Sequence, residues 1–444
     1  MKLPEAVLYC IQTLNGAGFE AYAVGGCVRD HLLGLTPHDY DLCTSATPEQ
    51  ICNLFSEHTL VRAGEKHGTI GVVIRNQVFE ITTFRTEGGY QDSRHPDWVR
   101  FVSDVTEDLA RRDFTVNAMA YSPRSGLIDP WGGQKDLQNR TLRAVGDPAT
   151  RFSEDALRIL RGVRFAVRFN LVPDAATEQA MKQLAPTMEK LARERLFDEL
   201  CKLLLVVKAV DLLRFAPVLT HVIPELRPML GFEQHTPHHI YDVFTHTAHV
   251  VEASPATLPL RWAALLHDTG KPESFFLDKT GRGHFHGHAK ISAAIAENVL
   301  LRLKAPTALR ERVVTLIAQH MTPLEPDKKL LRRRLNQHGE ETVWQMLALQ
   351  ESDFSSKGTG TEAEAQTFPR IHVVLQEILA ENACLNLKDL AVNGKDLMAL
   401  GIPAGKQLGQ CLNQLLEQVL DEQLPNEREP LLRFAKQFAA KAQS

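Results

Sequence analysis

A segment near the N-terminus, residues 21–43, constrains the fold more than any other part of this sequence. Its apolar run ends at Gly25 and Gly26, and a second run with the character of a β-strand contains Asp39 and Asp41. Because side chains alternate between the faces of a strand, two aspartates separated by one residue share a face. Paired carboxylates suit Mg²⁺, and a phosphate can approach the backbone N–H groups of glycines closely. Such an aspartate pair alone is typical of solvated loops, but the glycine pair at this spacing predicts a site for Mg²⁺ and a nucleoside triphosphate.

A third carboxylate for this site is predicted in the segment VFEITTF, residues 78–84. The pattern indicates a strand, and strands seldom carry an acid such as Glu80 in their interior. We expect pairing of this strand to bring Glu80 beside Asp39 and Asp41. The alternative is that Glu80 lies on an exposed strand face.

Residues 107–123 have helical character and contain the sequence Arg111-Arg112-Asp113. Arg112 is suited to contact a phosphate. Asp113 and Asn117 are four residues apart and would share one helix face, where they could bind a ribose. The alternative is a solvated cluster of salt bridges.

The pattern of residues 151–170 predicts a helix with Ser153 as its N-cap. We expect this helix to select a nucleobase. A carboxylate such as Asp155 accepts from the exocyclic amine of cytosine or adenine, and an arginine such as Arg158 donates to the adjacent ring acceptor. Uracil and guanine present the opposite pattern and would be rejected. The alternative is a solvated face on which Glu154 and Asp155 pair with Arg158. Four arginines at spacings of three, three and four form one stripe: Arg158, Arg161, Arg164 and Arg168.

A second group of metal ligands is predicted in the middle of the chain. Histidines and aspartates recur in the order of an HD metal domain, and their donors suit a divalent metal such as Mn, Ni, Co, Fe or Mg. We expect a metal at four of these residues because all four are present. The full series is His246, His267, Asp268, His288, His320 and Asp353, and the expected ligands are His246, His267, Asp268 and Asp353.

Composition narrows the class of protein. The net charge of −4 over 444 residues gives no global basic surface, so any nucleic-acid surface must be local. Seven cysteines occur without a CxxC pair, which is typical of reduced thiols and favours a cytoplasmic protein. The sequence contains no apolar run of 18 residues, so we expect no membrane association.

Several motifs together resemble the class II tRNA nucleotidyltransferase and poly(A) polymerase superfamily. They include GGCVRD, HDYD, EITTFR, the loop RTEGGYQDSRHP within residues 85–101, LARRDFTVNAMA and EDALRILRGVRFAVRF. Residues 389–432 resemble the tail of CCA-adding enzymes from Gram-positive-type bacteria. Poly(A) polymerases carry a GRRF-type segment where this chain reads AGEKHGTIGVVI, which favours CCA addition.

The resemblance implies roles for individual residues. Asp39 and Asp41 would hold two Mg²⁺ ions for attack of a tRNA 3′-hydroxyl on the α-phosphate. Gly26 and Arg29 would contact the triphosphate, with Arg112 beside it. Asp155 and Arg158 would read the base, and Arg161 and Arg164 would add positive charge.

We therefore predict an α+β protein, with a small mixed-sheet nucleotidyltransferase head followed by all-α neck, HD-type and tail helices. The predicted domains are the head (1–145), neck and body helices (146–235), the HD-type domain (236–360) and a tRNA-binding tail (361–444). The expected function is addition of CCA to tRNA from CTP and ATP. We expect no DNA partner. The alternatives are a poly(A) polymerase or partial CC- or A-adding enzyme, which the loop argues against, and an HD phosphohydrolase with an RNA-binding head. By analogy, an HD site would hydrolyse 2′,3′-cyclic or 2′-phosphate ends.

Overall fold

The computed structural model describes residues 1–88, 98–236, 240–358, 362–381 and 383–443. The chain divides into two compact units. Unit 1 comprises Met1–Arg227 and Arg302–Ala305, and unit 2 comprises Pro228–Leu301 and Pro306–Ser444. No helix in the described ranges has the length and apolar character needed to cross a bilayer.

Unit 1 begins with a mixed seven-stranded sheet in the order β3-β4-β5-β2-β1-β8-β9. Strands β1 and β2 pair antiparallel, whereas β2 and β5 pair parallel. The strands β6 and β7 form a separate hairpin, so part of the loop predicted at 85–101 is ordered as strands, and residues 89–97 of it lie outside the described residues. The nine strands are β1 (Ala21–Val24), β2 (Asp41–Thr44), β3 (Thr59–Val61), β4 (Thr69–Ile74), β5 (Gln77–Thr83), β6 (Arg85–Gly88), β7 (Trp98–Phe101), β8 (Ala120–Ser122) and β9 (Gly126–Ile128).

Five helices accompany the sheet. All four residues of β1 are buried, because Tyr22 and Val24 pack with Leu109 in a core cluster and the other face is also covered. These helices are α1 (Glu5–Gly16), α2 (Gly26–Leu32), α3 (Pro48–Leu54), α4 (Val105–Ala110) and α5 (Gly133–Gln138). Short 3₁₀ turns occur at Glu65–His67 and Thr115–Asn117.

The rest of unit 1 is helical apart from two paired two-residue strands. Phe114 joins the sheet region to these helices, since its ring lies 5.9 Å from that of Phe165 and 6.2 Å from that of Phe152. Gly162 permits this contact, because a Cβ atom there would lie 2.9 Å from the Phe114 ring. The elements are β10 (Thr141–Leu142), α6 (Pro148–Glu154), α7 (Leu157–Arg168), β11 (Val172–Pro173), α8 (Ala175–Leu184), α9 (Arg193–Leu204) and α10 (Ala209–Val222), with 3₁₀ turns at Ala185–Lys190 and Pro224–Met229.

Unit 2 is helical, with one short hairpin. Its C-terminal helices enclose a core of their own that includes Cys411, Leu415 and Leu431. The elements are α11 (Val243–Ala253), α12 (Leu258–Leu266), α13 (Lys271–Ser274), β12 (Phe276–Leu277), β13 (Gly283–His284), α14 (His288–Arg302), α15 (Thr307–Gln319), α16 (Lys328–His338), α17 (Glu340–Ser355), α18 (Glu362–Ala365), α19 (Thr367–Ala380), α20 (Gly394–Met398), α21 (Lys406–Leu420) and α22 (Arg428–Gln443), with a 3₁₀ turn at Leu387–Asp389. A mixed sheet followed by helices confirms the α+β prediction.

Candidate active site

One cavity of about 570 Å³ in unit 1 gathers most of the residues that the sequence singled out. Seven arginines and four aspartates line it, and a wall with this many guanidinium groups suits a polyanion, although acids outside the lining pair with several of them. Glu80 is the one predicted head residue that is absent from this lining. The predicted residues on the cavity wall are Gly26, Arg29, Asp39, Asp41, Arg112, Asp113, Asn117, Asp155, Arg158, Arg161 and Arg164.

The two aspartates reach the cavity in a different way from the one predicted. Strand β2 begins at Asp41, whereas Asp39 lies in the irregular segment before it, so they are not alternate residues of one strand. The Asp39 side chain is 83% exposed and one of its oxygens lies 2.9 Å from Nδ1 of His38. Desolvation raises the pKa of Asp41, with Arg112 opposing and the charge of Asp39 adding to the rise. The mutual repulsion of the two carboxylates is what a bound cation would relieve.

Glu80 lies on the strand that the prediction required. Strand β5 runs parallel to β2, with Leu42 opposite Ile81. Glu80 and Asp41 therefore occupy corresponding positions, each one residue before this pair. Its side chain is exposed, and its partner on β4 is Gly71. The role of Glu80 as a third carboxylate stays a prediction.

The glycine pair lets an arginine approach the backbone. Gly25 has a φ of 77°, and a Cβ atom there would lie 2.7 Å from a terminal nitrogen of Arg112. Gly26 opens helix α2. Arg112 is held from the other side by Asp108, 3.6 Å away and fully buried. The glycine pair and a guanidinium therefore lie together on the cavity wall.

Arg29 is more enclosed than a residue expected to meet a triphosphate. Its guanidinium donates to Oδ1 of Asp30 at 2.6 and 2.8 Å and to Oδ1 of Asn117 at 2.5 Å. It also lies over the ring of Phe169, 4.1 Å from the centroid. Burial lowers the pKa of Arg29, although Asp30 opposes this. Phosphate contact by Arg29 stays a prediction.

The prediction of a helix over residues 107–123 is wrong beyond Ala110. Helix α4 ends at Ala110, and the chain continues through a 3₁₀ turn into β8. Asp113 and Asn117 nevertheless meet, because the Asn117 amide donates to Oδ1 of Asp113 at 3.0 Å. Burial raises the pKa of Asp113, but its ion pair with Arg161 at 2.7 Å and the Asn117 hydrogen bond outweigh this and lower it to about 2.

The predicted base-selecting helix is two helices. Helix α6 starts at Pro148 after the N-cap Asp147 and ends at Glu154, so Ser153 is not an N-cap; its hydroxyl donates to the Ala149 carbonyl inside α6. Asp155 has extended backbone and accepts from the backbone N–H of Leu157 at 3.0 Å. Asp155 thus faces the cavity from the junction of the two helices.

The ion pairs of this segment agree with only part of the solvated-face alternative, because Arg158 is buried and base selection stays a prediction. Arg158 donates to Glu154 at 2.5 Å, as the solvated-face alternative had it, but also to the backbone carbonyls of Arg151 and Arg111. Asp155 pairs instead with Arg195, at 2.7 and 3.3 Å. Sequence reasoning missed Arg195, since it lies forty residues away in a helix whose apolar spacing indicates packing alone.

The charges of Arg161 and Arg164 are matched by buried acids. Arg161 contacts Asp113 at 2.7 Å, and Arg164 donates to Glu199 at 2.6 Å. Both guanidiniums lie over the ring of Phe165. These ion pairs therefore help to fix α7 against α9, and the predicted contribution of Arg161 and Arg164 to the charge of the cavity stays a prediction.

In unit 2 the structure brings together all four expected HD ligands. Nε2 of His246 lies 2.9 Å from Asp353 and 3.7 Å from Asp268. Nε2 of His267 is buried and lies 3.2 Å from Asp268 and 3.7 Å from Asp353. Burial lowers the pKa of His267, but the two carboxylates outweigh this and raise it to about 9. The carboxylates of Asp268 and Asp353 thus favour a positive charge beside them.

His288 and His320 extend the group on the other side of Asp268. Their Nε2 atoms lie 3.1 Å apart, and that of His288 is 3.4 Å from Asp268. Nδ1 of each lies within 2.8 Å of a backbone carbonyl, so Nδ1 carries the proton and the lone pair of Nε2 faces inwards. Two ligand triads with donor atoms within 4.8 Å result: His246, His267 and Asp268, and Asp268, His288 and His320.

Three regions of the chain are similar to known protein domains. Residues 21–143 match the model of the poly(A) polymerase head domain, and residues 284–435 match tRNA nucleotidyltransferase domain 2. Residues 170–230 match a probable RNA-binding region of polymerase A. A CCA-adding enzyme of Enterococcus faecalis is 33% identical over 98% of this chain and 96% of its own. The chain belongs to the CCA-adding enzyme family.

Other family members show different extents of similarity. The match to the Lactobacillus helveticus CCA-adding enzyme is 48% identical over 46% of this chain and 51% of that one. This chain thus spans about half the length of several curated relatives it matches. The structure of the Bacillus stearothermophilus CCA-adding enzyme in complex with CTP is 28% identical, covers 100% of this chain and 99% of its own, and superposes with a TM-score of 0.70. The family resemblance drawn from the motifs is confirmed.

Proposed function

We propose that this member of the CCA-adding enzyme family adds C, C and A in turn to the 3′ end of tRNA. The observation that carries the proposal is the cavity of unit 1, which holds Asp39 and Asp41 together with Asp155 and Arg158. Asp39 and Asp41 act at the reacting phosphate, and Asp155 and Arg158 contact the base. CTP and ATP are the expected substrates, without a nucleic-acid template.

Asp39 and Asp41 fit Mg²⁺ by the chemistry of their donors, since both carboxylates reach one cavity, where desolvation and, to a smaller extent, the charge of Asp39 raise the pKa of Asp41. When bound there, Mg²⁺ supplies Lewis-acid stabilisation to the hydroxyl and the phosphates. Gly26 and Arg112 orient the triphosphate for in-line attack. The tRNA 3′ oxygen then bonds to the α-phosphorus as its proton leaves, and the bond to pyrophosphate breaks.

Base choice is proposed to rest on Asp155 and Arg158. A carboxylate has about four acceptor positions, and the contacts of Asp155 with Leu157 and Arg195 occupy three. Arg158 uses three of its five N–H donors on Arg151, Glu154 and Arg111. One acceptor and two donors remain for a base edge. Because protein partners hold both side chains, they form a rigid pattern.

Asp155→Ala is expected to weaken discrimination against UTP and GTP. A bidentate base contact is worth roughly 1–3 kcal/mol, so selectivity should fall by about one to two orders of magnitude. Changing Arg112 should instead slow all four nucleotides about equally. The measurement is kcat/KM for each nucleotide on tRNA that ends before CCA, with Asp198→Ala, a change of an exposed aspartate in α9, as control. If Asp155→Ala slows every nucleotide by one factor, the residue is structural and does not read the base.

The domain assignment is part of the proposal. We assign 1–145 to the nucleotidyltransferase head, 146–235 to neck and body helices, 236–360 to the HD-type domain and 361–444 to the tRNA-binding tail. The matched head model ends at residue 143, close to the first of these boundaries. All seven cysteines are free thiols, which supports a reducing, cytoplasmic location.

A second candidate function is metal-dependent phosphohydrolysis in unit 2. The supporting observation is the buried group around Asp268, whose fit to a metal follows from its two ligand triads and from the inward lone pairs of His288 and His320. His246, His267, Asp268 and Asp353 would hold a divalent metal, with Mn, Ni, Co or Fe favoured by the mixed imidazole and carboxylate donors. Lys271 and Lys357 lie beside the carboxylates and suit a phosphate.

A further inference from the structure

Asn117 joins two arginines of the unit 1 cavity that come from different helices. Its Oδ1 accepts from Arg29 of α2 at 2.5 Å, and its Nδ2 donates to Oδ1 of Asp113 at 3.0 Å. The other carboxylate oxygen of Asp113 accepts from Nε of Arg161, on α7, at 2.9 Å. A continuous chain of hydrogen bonds therefore runs from α2 to α7, and all four of its residues line the cavity.

The chemistry of this position requires an amide. Arg29 offers donors only, and the carboxylate of Asp113 offers acceptors only, so the link between them needs one acceptor and one donor. Asparagine carries both at the end of a short side chain, whereas aspartate lacks the donor. Asn117 is 6% exposed, and each of its two polar atoms already has a protein partner. These contacts favour a link between protein groups over the ribose contact that the sequence suggested.

A second set of contacts closes this chain into a ring. The guanidiniums of Arg29 and Arg161 both lie over the aromatic ring of Phe165, 5.4 and 5.1 Å from its centroid. The negative face of an aromatic ring attracts a cation, so Phe165 holds each arginine from a second direction. Because the two arginines share this ring and are also joined through Asn117 and Asp113, their separation is fixed twice.

The two ends of the link lie at the two parts of the proposed nucleotide site. A Cβ atom on Gly26 would lie 3.5 Å from a terminal nitrogen of Arg29, so this guanidinium lies against the glycine expected to orient the triphosphate. Arg161 follows Arg158, the residue expected to read the base, by three positions on α7 and so lies on the same helix face. The link thus connects the phosphate end of the cavity to its base end.

We propose that Asn117 is a positioning residue for base selection. It holds α2 and α7 at the separation at which one nucleotide reaches both the triphosphate site and the base-reading pair. A ligand that spans the cavity depends on this separation, whereas a ligand that contacts one end does not. Preorganisation of this kind raises affinity because less of the site has to be ordered on binding. The inference rests on the function proposed for unit 1 and assigns part of its specificity to a residue that need not touch the base.

Asn117→Ala in the full-length chain tests this role by equilibrium binding of nucleotides with Mg²⁺ and without tRNA. We expect affinity for CTP to fall about tenfold, because a misaligned base-reading pair loses much of its contact with cytosine. Affinity for UTP, which that pair does not select, and for inorganic triphosphate should stay within about twofold. The ratio of CTP to dCTP affinity should not change. The control is Asn139→Ala, an exposed change at the end of α5.

Asn117→Asp tests whether both halves of the link are needed. This variant keeps the size of the side chain and the acceptor for Arg29, but it places a second carboxylate against Asp113. We therefore expect CTP affinity to fall as it does in the alanine variant. Affinity equal to that of the wild type would show that the contact with Arg29 alone is sufficient, and would overturn the proposal.

Three results for Asn117→Ala would also overturn the inference. Unchanged CTP affinity would show that the link has no part in selection, and a loss for CTP without a loss for dCTP would identify Asn117 as a ribose ligand. An equal loss for CTP, UTP and inorganic triphosphate would show that the residue supports only the fold. If the wild type binds CTP more tightly than UTP but adds no nucleotide to tRNA, the function proposed for unit 1 fails, while binding still measures the role of Asn117. Equal binding of CTP and UTP by the wild type would contradict that role.

Discussion

Asp41→Ala and Asp39→Ala are each expected to abolish nucleotide addition while tRNA binding stays nearly intact. The carboxylates serve the metal and the reacting phosphate and lie at the end of the cavity where the charge of Asp39 reaches Asp41. Metal ions contribute several kcal/mol of transition-state stabilisation, so we expect a loss of about three orders of magnitude or more in kcat. The measurement is single-turnover addition of labelled CTP, with tRNA affinity determined in parallel.

Glu49→Gln is the matched control for these variants. Glu49 is an exposed carboxylate in the first turn of α3 and does not line the cavity, so its removal should leave addition unchanged. Substantial addition by either aspartate variant would show that the pair does not hold the catalytic metal. Asp41→Asn keeps the size of the side chain and separates loss of charge from loss of packing.

Changing His267 and Asp268 together to alanine is expected to remove hydrolysis of 2′,3′-cyclic AMP and leave CCA addition largely unaffected. These residues lie in unit 2 and are almost fully buried, and Asp268 is shared by both ligand triads. Loss of the shared ligand should cost nearly all hydrolysis and all stoichiometric metal. The measurements are hydrolysis with Mn²⁺, Ni²⁺ or Co²⁺ supplied and the metal content of the purified protein.

The control for the unit 2 variant is Glu340→Gln, an exposed change in the first turn of α17. Asp268→Ala removes the carboxylate partner of Lys271. Asp268→Asn, which keeps a polar side chain of the same size, is therefore the milder second variant. If the wild type shows no hydrolysis with any of the three metals, the HD-type region is a structural module. Loss of CCA addition in the variant, with unit 2 still folded, would show that the two sites are not independent.

The sequence allowed the elements around Asp41 to be predicted because the local pattern was sufficient. Strand β1, the glycine turn and strand β5 follow from apolar runs separated by turn residues, whereas the parallel pairing of β5 with β2 does not. The histidine and aspartate series also meets in space, although His246 and Asp353 are 107 residues apart, because its order along the chain is that of an HD metal domain.

Contacts between distant residues could not be predicted in the same way. Asp155 interrupts the predicted helix because its side chain accepts from the N–H of Leu157, a local hydrogen bond that competes with helix continuation. Its partner Arg195 lies in another helix, and no spacing rule links the two. The start of α6 did carry a signal, since Asp147 before Pro148 is a typical helix opening.

The central claim is that the cavity of unit 1 builds CCA on tRNA. The most direct test is to incubate the full chain with tRNA that ends before CCA, all four nucleoside triphosphates and Mg²⁺, and to sequence the 3′ ends of the products. We expect C, C and A to be added in that order and extension then to stop. A run of A residues would identify a poly(A) polymerase, CC or A alone a partial enzyme, and incorporation of U or G would contradict base reading by Asp155 and Arg158. Unextended tRNA would contradict the claim itself.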